Sequence, residues 1–284
     1  MRLARYDDDR LGVVEGERVR DVSAVLERLP ALRWPLPLGD VLIARLEDLR
    51  PEIARLAADA PAKPLAEVRL LSPVANPSKI IAAPVNYQKH LDEARADAAI
   101  HHGAELKTID RYGLFLKANS ALVGPGEGIR LRFPERRNDH EVELAAVIGR
   151  EGSDIAAERA LDHVVGYAIG LDMTVRGPED RSLRKSIDSY AVLGPWLVTA
   201  DEIADPGTLD LELTLNGEVR QRSNTRHLIF DVPKLIAYAS AAYTLYPGDV
   251  IMTGTPEGVG PVAAGDVIEA EIEGIGAMTV EVRA

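Results

Sequence analysis

The stretch RNDHEVELAAVIGR, residues 137–150, sets the tightest limit on how this chain can fold. From Val142 to Ile148 it is apolar and β-branched enough for a strand buried on both faces. Glu141 and Glu143 stand two apart at its start. Side chains in a strand alternate with period two, so both carboxylates point the same way. Their face continues through Ala145 and Val147, which is not a solvated face. A buried unpaired carboxylate is expensive, and a like charge beside it raises the cost. Either the strand end is exposed, or a cation sits there.

A hard divalent cation needs a third oxygen ligand, and Asp172 is the best candidate. It ends the apolar run VVGYAIGLD, where a charged side chain can reach a pocket at the sheet edge. Three carboxylates with open positions suit Mg²⁺ or Mn²⁺, which keep waters and accept a chelating substrate. The competing reading makes Glu-X-Glu a wet strand end and Asp172 a turn residue. The 284 residues include no cysteine, which removes disulfides, thiolate catalysis and thiolate metal sites. With 45 acidic against 33 basic residues the formal charge is −12. Nucleic acid is therefore not an expected partner, although a local positive site can sit inside an acidic protein. MRLARYDDDR lacks an apolar signal region, and no apolar run approaches the roughly 20 residues of a membrane helix. The expected location is the cytoplasm, with no membrane partner.

Residues 1–72 read as a small N-terminal α/β domain. MRLARY and LGVVEG are short strands around an Asp-rich turn, and VLIARLEDLRPEIARLAADA has helical spacing interrupted by Pro51. Proline-rich DAPAKP and SPVANPSK lead out of it. Residues 73–284 read as a β-rich α+β domain, with a hairpin turning at Asn216-Gly217. Within the second, residues 88–112 are polar and Ala-rich with little apolar periodicity. This segment is predicted to be a lid, mobile until ligand binds.

His90 and Glu93 share a face if their stretch is helical, and a histidine oriented by a carboxylate can take a proton from water. A surface pair is the alternative. His101 and His102 have no partner at useful spacing and read as solvated. Lys185 follows Arg181 and Arg184; the three form either a solvated basic patch or, for the lysine, an oxyanion stabiliser. GTPEGVG (254–260) lacks the Gly-Lys-Ser/Thr ending of a phosphate loop, so a nucleotide site is rejected.

In order along the chain, NYQKHLDEA, LFLKANSALVGPGE, HEVELAAVIGR, GYAIGLDMTVR, RKSIDSYAVLGPW, LTLNGEVRQ, TLYPGDVIMTGTPEGVGP and GDVIEAEIEGIG resemble the fumarylacetoacetate hydrolase family, in its acylpyruvase-like branch. The resemblance runs from about residue 79 onward. It implies a mixed β-sandwich roll, a homodimer, and a divalent metal held where Glu141, Glu143 and Asp172 fall. It implies that His90 and Glu93 are the catalytic dyad on a lid helix and that Lys185 is the pocket lysine. Lys117, Arg176 and Thr255 fall at substrate-binding positions. One departure is Pro84-Val85 before Asn86-Tyr87, where relatives often carry glycine and a large or basic residue.

The activity so implied is metal-dependent hydrolysis of a C–C bond in a β-diketo acid of the acylpyruvate or fumarylpyruvate type, in aromatic or sugar-acid catabolism. The metal would stabilise a departing pyruvate enolate. Decarboxylation of oxaloacetate, or isomerisation of an unsaturated 2-oxo diacid, would use the same metal site and stays open. So does a non-catalytic metal-binding protein, which the presence of both the dyad and Lys185 disfavours.

Overall fold

Two β-sheets face each other across one apolar layer. The computed structural model describes residues 1–101 and 107–284. The larger sheet has twelve strands, and Val142–Ile148 lies inside it, antiparallel to both Val164–Asp172 and Val250–Met252. This position explains the doubly apolar strand. Val142, Leu144, Ala146 and Ile148 enter the layer shared with the second sheet. Ala145 and Val147 enter a separate layer on the opposite face.

The second sheet has five strands, in the order Glu218–Asn224, Asp210–Leu215, Val267–Ile272, Gly276–Arg283 and Ile129–Arg130. It buries one face, as the alternation of Ile268, Ala270 and Ile272 with charged neighbours requires. The hairpin turns at Asn216 and Gly217, both at positive φ (52° and 80°), as a two-residue turn between right-twisted strands demands. The helix Val232–Ser240 adds Leu235, Ile236 and Ala239 to the shared layer. The architecture is β-rich α+β.

The N-terminal strands extend the main sheet. Arg2–Tyr6 pairs antiparallel with Ala191–Thr199, matching Leu3 to Leu197, and Arg10–Glu15, Arg18–Asp21 and Ala62–Pro64 follow outward. Leu46, Ile53 and Val25 share their apolar layer with Ala145, Val147 and Leu197. Each such fully buried side chain contributes roughly 1.5–3 kcal/mol. The expected interruption of the helix at Pro51 does not occur there. The helix Leu46–Asp59 runs through Pro51, and the break from the preceding turn Val41–Ala44 falls at Arg45. Pro51 is exposed, so water can satisfy the Glu47 carbonyl that loses its intrahelical donor.

Candidate metal centre and active site

The acidic triad follows from strand register. Val142 pairs with Leu171 and Glu143 with Gly170, and the Asp172 N–H donates to the Glu141 carbonyl at 2.9 Å. Glu141 and Asp172 are thus cross-strand neighbours, with Glu143 one pleat along on the same face. One oxygen from each of the three carboxylates lies within 4.8 Å of the others. All three residues are buried. They sit at the wall of an open cavity of ≈ 480 Å³ that also reaches His90, Arg176, Lys185 and Thr255.

Their electrostatic surroundings differ. Glu141 accepts from Arg176 (2.8 Å) and Lys185 (2.7 Å). Asp172 accepts from Lys185 (2.6 Å) and from Lys117. The one hydrogen bond to the Glu143 carboxylate among the described residues comes from the Gly254 N–H, at 2.7 Å. Burial, and then the charges of Asp172 and Glu141, push the Glu143 carboxyl well above its ordinary range, while Lys185 pulls the other way. Burial also disfavours the Glu141 carboxylate, but Lys185 and Arg176 outweigh it and that group titrates low. A buried carboxylate repelled by two others and held by one N–H fits a place prepared for a cation. The all-oxygen donor set suits a hard divalent ion such as Mg²⁺ or Mn²⁺.

The loop after Val250–Met252 crosses the start of the glutamate strand. Thr253 Oγ1 donates to the Leu144 carbonyl and Thr255 Oγ1 to the Val142 carbonyl, at 2.9 and 2.8 Å. Gly254 has φ of 99°, and a Cβ there would stand 2.6 Å from Asn86 Cβ. Only glycine brings that N–H to Glu143. Val85, on the cavity wall, has φ of 43°, a conformation that a β-branched residue rarely adopts. The neighbouring Asn86 side chain donates to the Phe230 and Thr253 carbonyls and accepts from the Phe230 N–H, which pins the turn.

His90 lies in the helix Gln88–Ala96, 5% exposed, with Nδ1 3.0 Å from Glu93 Oε2. Glu93 Oε1 accepts from the Gly258 N–H at 2.9 Å. The carboxylate therefore fixes the Nδ1–H tautomer and leaves Nε2 as the basic nitrogen. The segment 88–112 was expected to have little apolar surface holding it. Instead Leu91, Ala94 and Ile109 are buried. Too few apolar residues repeat for a period to show, and Ala96, Ala98 and Ala99 are exposed. His102 lies outside the described residues, as does the side chain of His101.

The remaining candidates occupy distinct places. Lys185 donates to Glu141, Asp172 and Thr174 Oγ1, which takes all three ammonium protons. Lys117 stands behind Asp172, fully buried, and also bonds the Lys185 carbonyl; it is not part of the cavity wall. Burial lowers the Lys117 pKa, and the Asp172 charge opposes that shift. Arg176 lines the cavity but is held by Asp139 (2.8 Å) as well as Glu141. Thr255 lines the cavity with its proton engaged by Val142. The sequence reading missed Gln221, fully buried, which donates to Thr255 Oγ1 (2.7 Å) and the Pro256 carbonyl and accepts from the Val142 N–H. Its signal was a polar residue opposite the buried Leu213 on the hairpin.

An oxygen triad beside an oriented histidine at an open cavity is the apparatus of a metal-dependent enzyme. The fumarylacetoacetate (FAA) hydrolase C-terminal family matches residues 79–283, and the chain belongs to that family. A maleylpyruvate hydrolase of Aquipseudomonas alcaligenes is 57% identical over 100% of this chain and 99% of its own length. The crystal structure of a maleylpyruvate hydrolase from Sphingobium sp. SYK-6 in complex with manganese(II) and pyruvate superposes with a TM-score of 0.83. It is 44% identical, covering 100% of this chain and 99% of the other. A mitochondrial oxaloacetate tautomerase of Xenopus laevis is 35% identical over 98% of this chain and 89% of its own. No helix among the described residues is long and apolar enough to cross a membrane.

Proposed function

We propose that this enzyme hydrolyses the C–C bond between the two carbonyls of a maleylpyruvate- or fumarylpyruvate-type acid, giving pyruvate and an unsaturated diacid. The observation that carries this reading is the shared cavity: the oxygen triad and the Glu93-oriented His90 line one space. Glu141, Glu143 and Asp172 would hold Mg²⁺ or Mn²⁺, which when bound supplies a Lewis acid for the electron density left on the pyruvate fragment. His90 Nε2 takes a proton from water, and the water oxygen adds to the distal carbonyl carbon. The C–C bond then breaks, its electron pair stays with the pyruvate carbon, and that carbon gains a proton. Lys185 offers positive charge to the oxyanion but must first release one carboxylate. Lys117 serves by holding Asp172, Arg176 by holding Glu141, and Thr255 by bordering the substrate carboxylate.

The oxaloacetate tautomerase relative supports a second reading, proton shuttling in a 2-oxo diacid by the same histidine. The domain division near residue 72, a homodimeric assembly and a cytoplasmic location complete the proposal. Replacing His90 by Ala tests the core of it. Hydrolysis of maleylpyruvate should fall about 10²–10⁴-fold, while calorimetric Mn²⁺ binding stays at the wild-type level. Near wild-type hydrolysis in the variant would remove His90 as the base.

A further inference from the structure

The cavity wall that holds the triad also includes Arg181 and Arg184 of the short helix Arg181–Lys185. Neither has an ion-pair partner among the described residues, although Arg176 beside them is bound to Asp139 and Glu141. Arg181 lies over the rings of Tyr112 (4.7 Å) and Phe115 (5.5 Å). Such ring contacts hold the cation near the wall without using its N–H donors. Arg184 donates from Nε to the Glu179 carbonyl at 2.8 Å. Of the nearby carboxylates, one is paired elsewhere and the other lies in the field of both arginines without an ion pair to either. Glu179 holds Arg136 through both oxygens (3.0 and 2.8 Å), and Asp180 caps the Ser182 N–H at 2.8 Å.

Phe115 also sets the spacing. Its ring centroid is 5.5 Å from the Arg181 guanidinium and 5.3 Å from Lys185 Nζ, which bonds the triad. One small molecule can therefore reach both the arginine and the lysine at the triad. The cavity wall also includes Pro84, Val85, Ala94 and Ile100, which suit a hydrocarbon middle. Burial, then the charges of Arg176 and Arg181, hold Arg184 below the usual guanidinium range, yet an arginine stays charged at neutral pH. Two like charges held together at a cavity wall favour an incoming anion.

We infer that Arg181 and Arg184 form a second-carboxylate subsite that selects dicarboxylic over monocarboxylic substrates, on the proposed reading that a 2-oxo acid head lies at the triad. A planar fork suits bidentate capture of a carboxylate.

The test compares two ligands of equal length and identical 2-oxo acid head, 2-oxoadipate and 2-oxohexanoate, by calorimetry on the Mn²⁺-loaded enzyme. Wild type should bind the diacid about tenfold or more tightly, as hydrogen bonds to charged groups warrant. Arg181→Gln and Arg184→Gln should each remove most of that preference while leaving 2-oxohexanoate unchanged, and Arg184→Lys should restore part of it. With substrates, the Gln variants should raise KM for maleylpyruvate and not for acetylpyruvate. No diacid preference in wild type, or equal loss of both ligands in the variants, would overturn the subsite. An arginine-dependent diacid preference without maleylpyruvate cleavage would support the subsite and reject the hydrolase reading.

Discussion

Two buried carboxylates on neighbouring strands of the main sheet have opposite surroundings. Asp249, entering Val250–Met252, is fully buried and accepts four hydrogen bonds. Ser78 Oγ and the Lys79 N–H reach one oxygen, and Lys79 Nζ and the Tyr246 N–H reach the other. Glu143, on the adjoining strand, is 1% exposed and has, among the described residues, the single Gly254 donor. The Asp249 cluster is complete in itself and ties residues 78–79 to the strand that carries the catalytic loop. The Glu143 cluster is left incomplete by the described residues, and a divalent cation would complete it. A closed donor set marks a residue of the fold, and an open one marks a residue of the site.

Three measurements can break or sharpen this contrast. The largest effect should come from Asp249→Asn, which leaves Lys79 without its counter-charge and, in either amide orientation, sets an NH2 donor against one of the two donor pairs. Urea unfolding should show a loss of roughly 3 kcal/mol. A loss within measurement error would mean the cluster is not structural.

Next comes Glu143→Gln in the presence of Mn²⁺. Groups that merely support a ligand cost 10–100-fold in affinity, so removing a ligand charge should weaken calorimetric binding by about 100-fold or more. Unchanged affinity in a folded variant would take Glu143 out of the ligand set.

The smallest effect has the opposite sign to the first. In metal-free protein the folded-state pKa of Glu143 is raised by burial and by Asp172 and Glu141. The stability linked to its proton is therefore fully present below the unfolded carboxyl value and lost as pH rises through the folded value. Glu143→Gln does not titrate and keeps an oxygen for Gly254. Its thermal midpoint should match wild type in acid and equal or exceed it at pH 8. A marked fall in stability at pH 8 would put Glu143 in the same class as Asp249.

What could be read from the sequence divides along the same line. Glu-X-Glu in an apolar strand, and Asp172 at the end of another, gave away the triad because a local period reports which way side chains point. The hairpin at Asn216 was legible because its turn chemistry is local. The pairing of Arg2–Tyr6 with Ala191–Thr199 was not, since nothing in either strand names its partner. The packing of Leu91 and Ala94 stayed hidden among polar neighbours. Pro51 looked like a break because the rule concerns a lost donor, and sequence does not show whether the orphaned carbonyl meets water. Arg181 and Arg184 passed for a solvated patch, because only the fold shows that their helix borders the cavity.

The partnership of Arg2–Tyr6 with Ala191–Thr199 also orders events on the ribosome. The first hairpin is complete long before the strand it docks against, which emerges some two hundred residues later, about ten to forty seconds at ordinary rates of synthesis. Val25, Leu46 and Ile53 can cover Leu3, Leu11 and Val13 early in that interval, but the edge of Arg2–Tyr6 that meets Ala191–Thr199 stays open and can pair with other nascent chains. Slowing translation between residues 21 and 191 should therefore lower the soluble yield more than the same delay placed after residue 199.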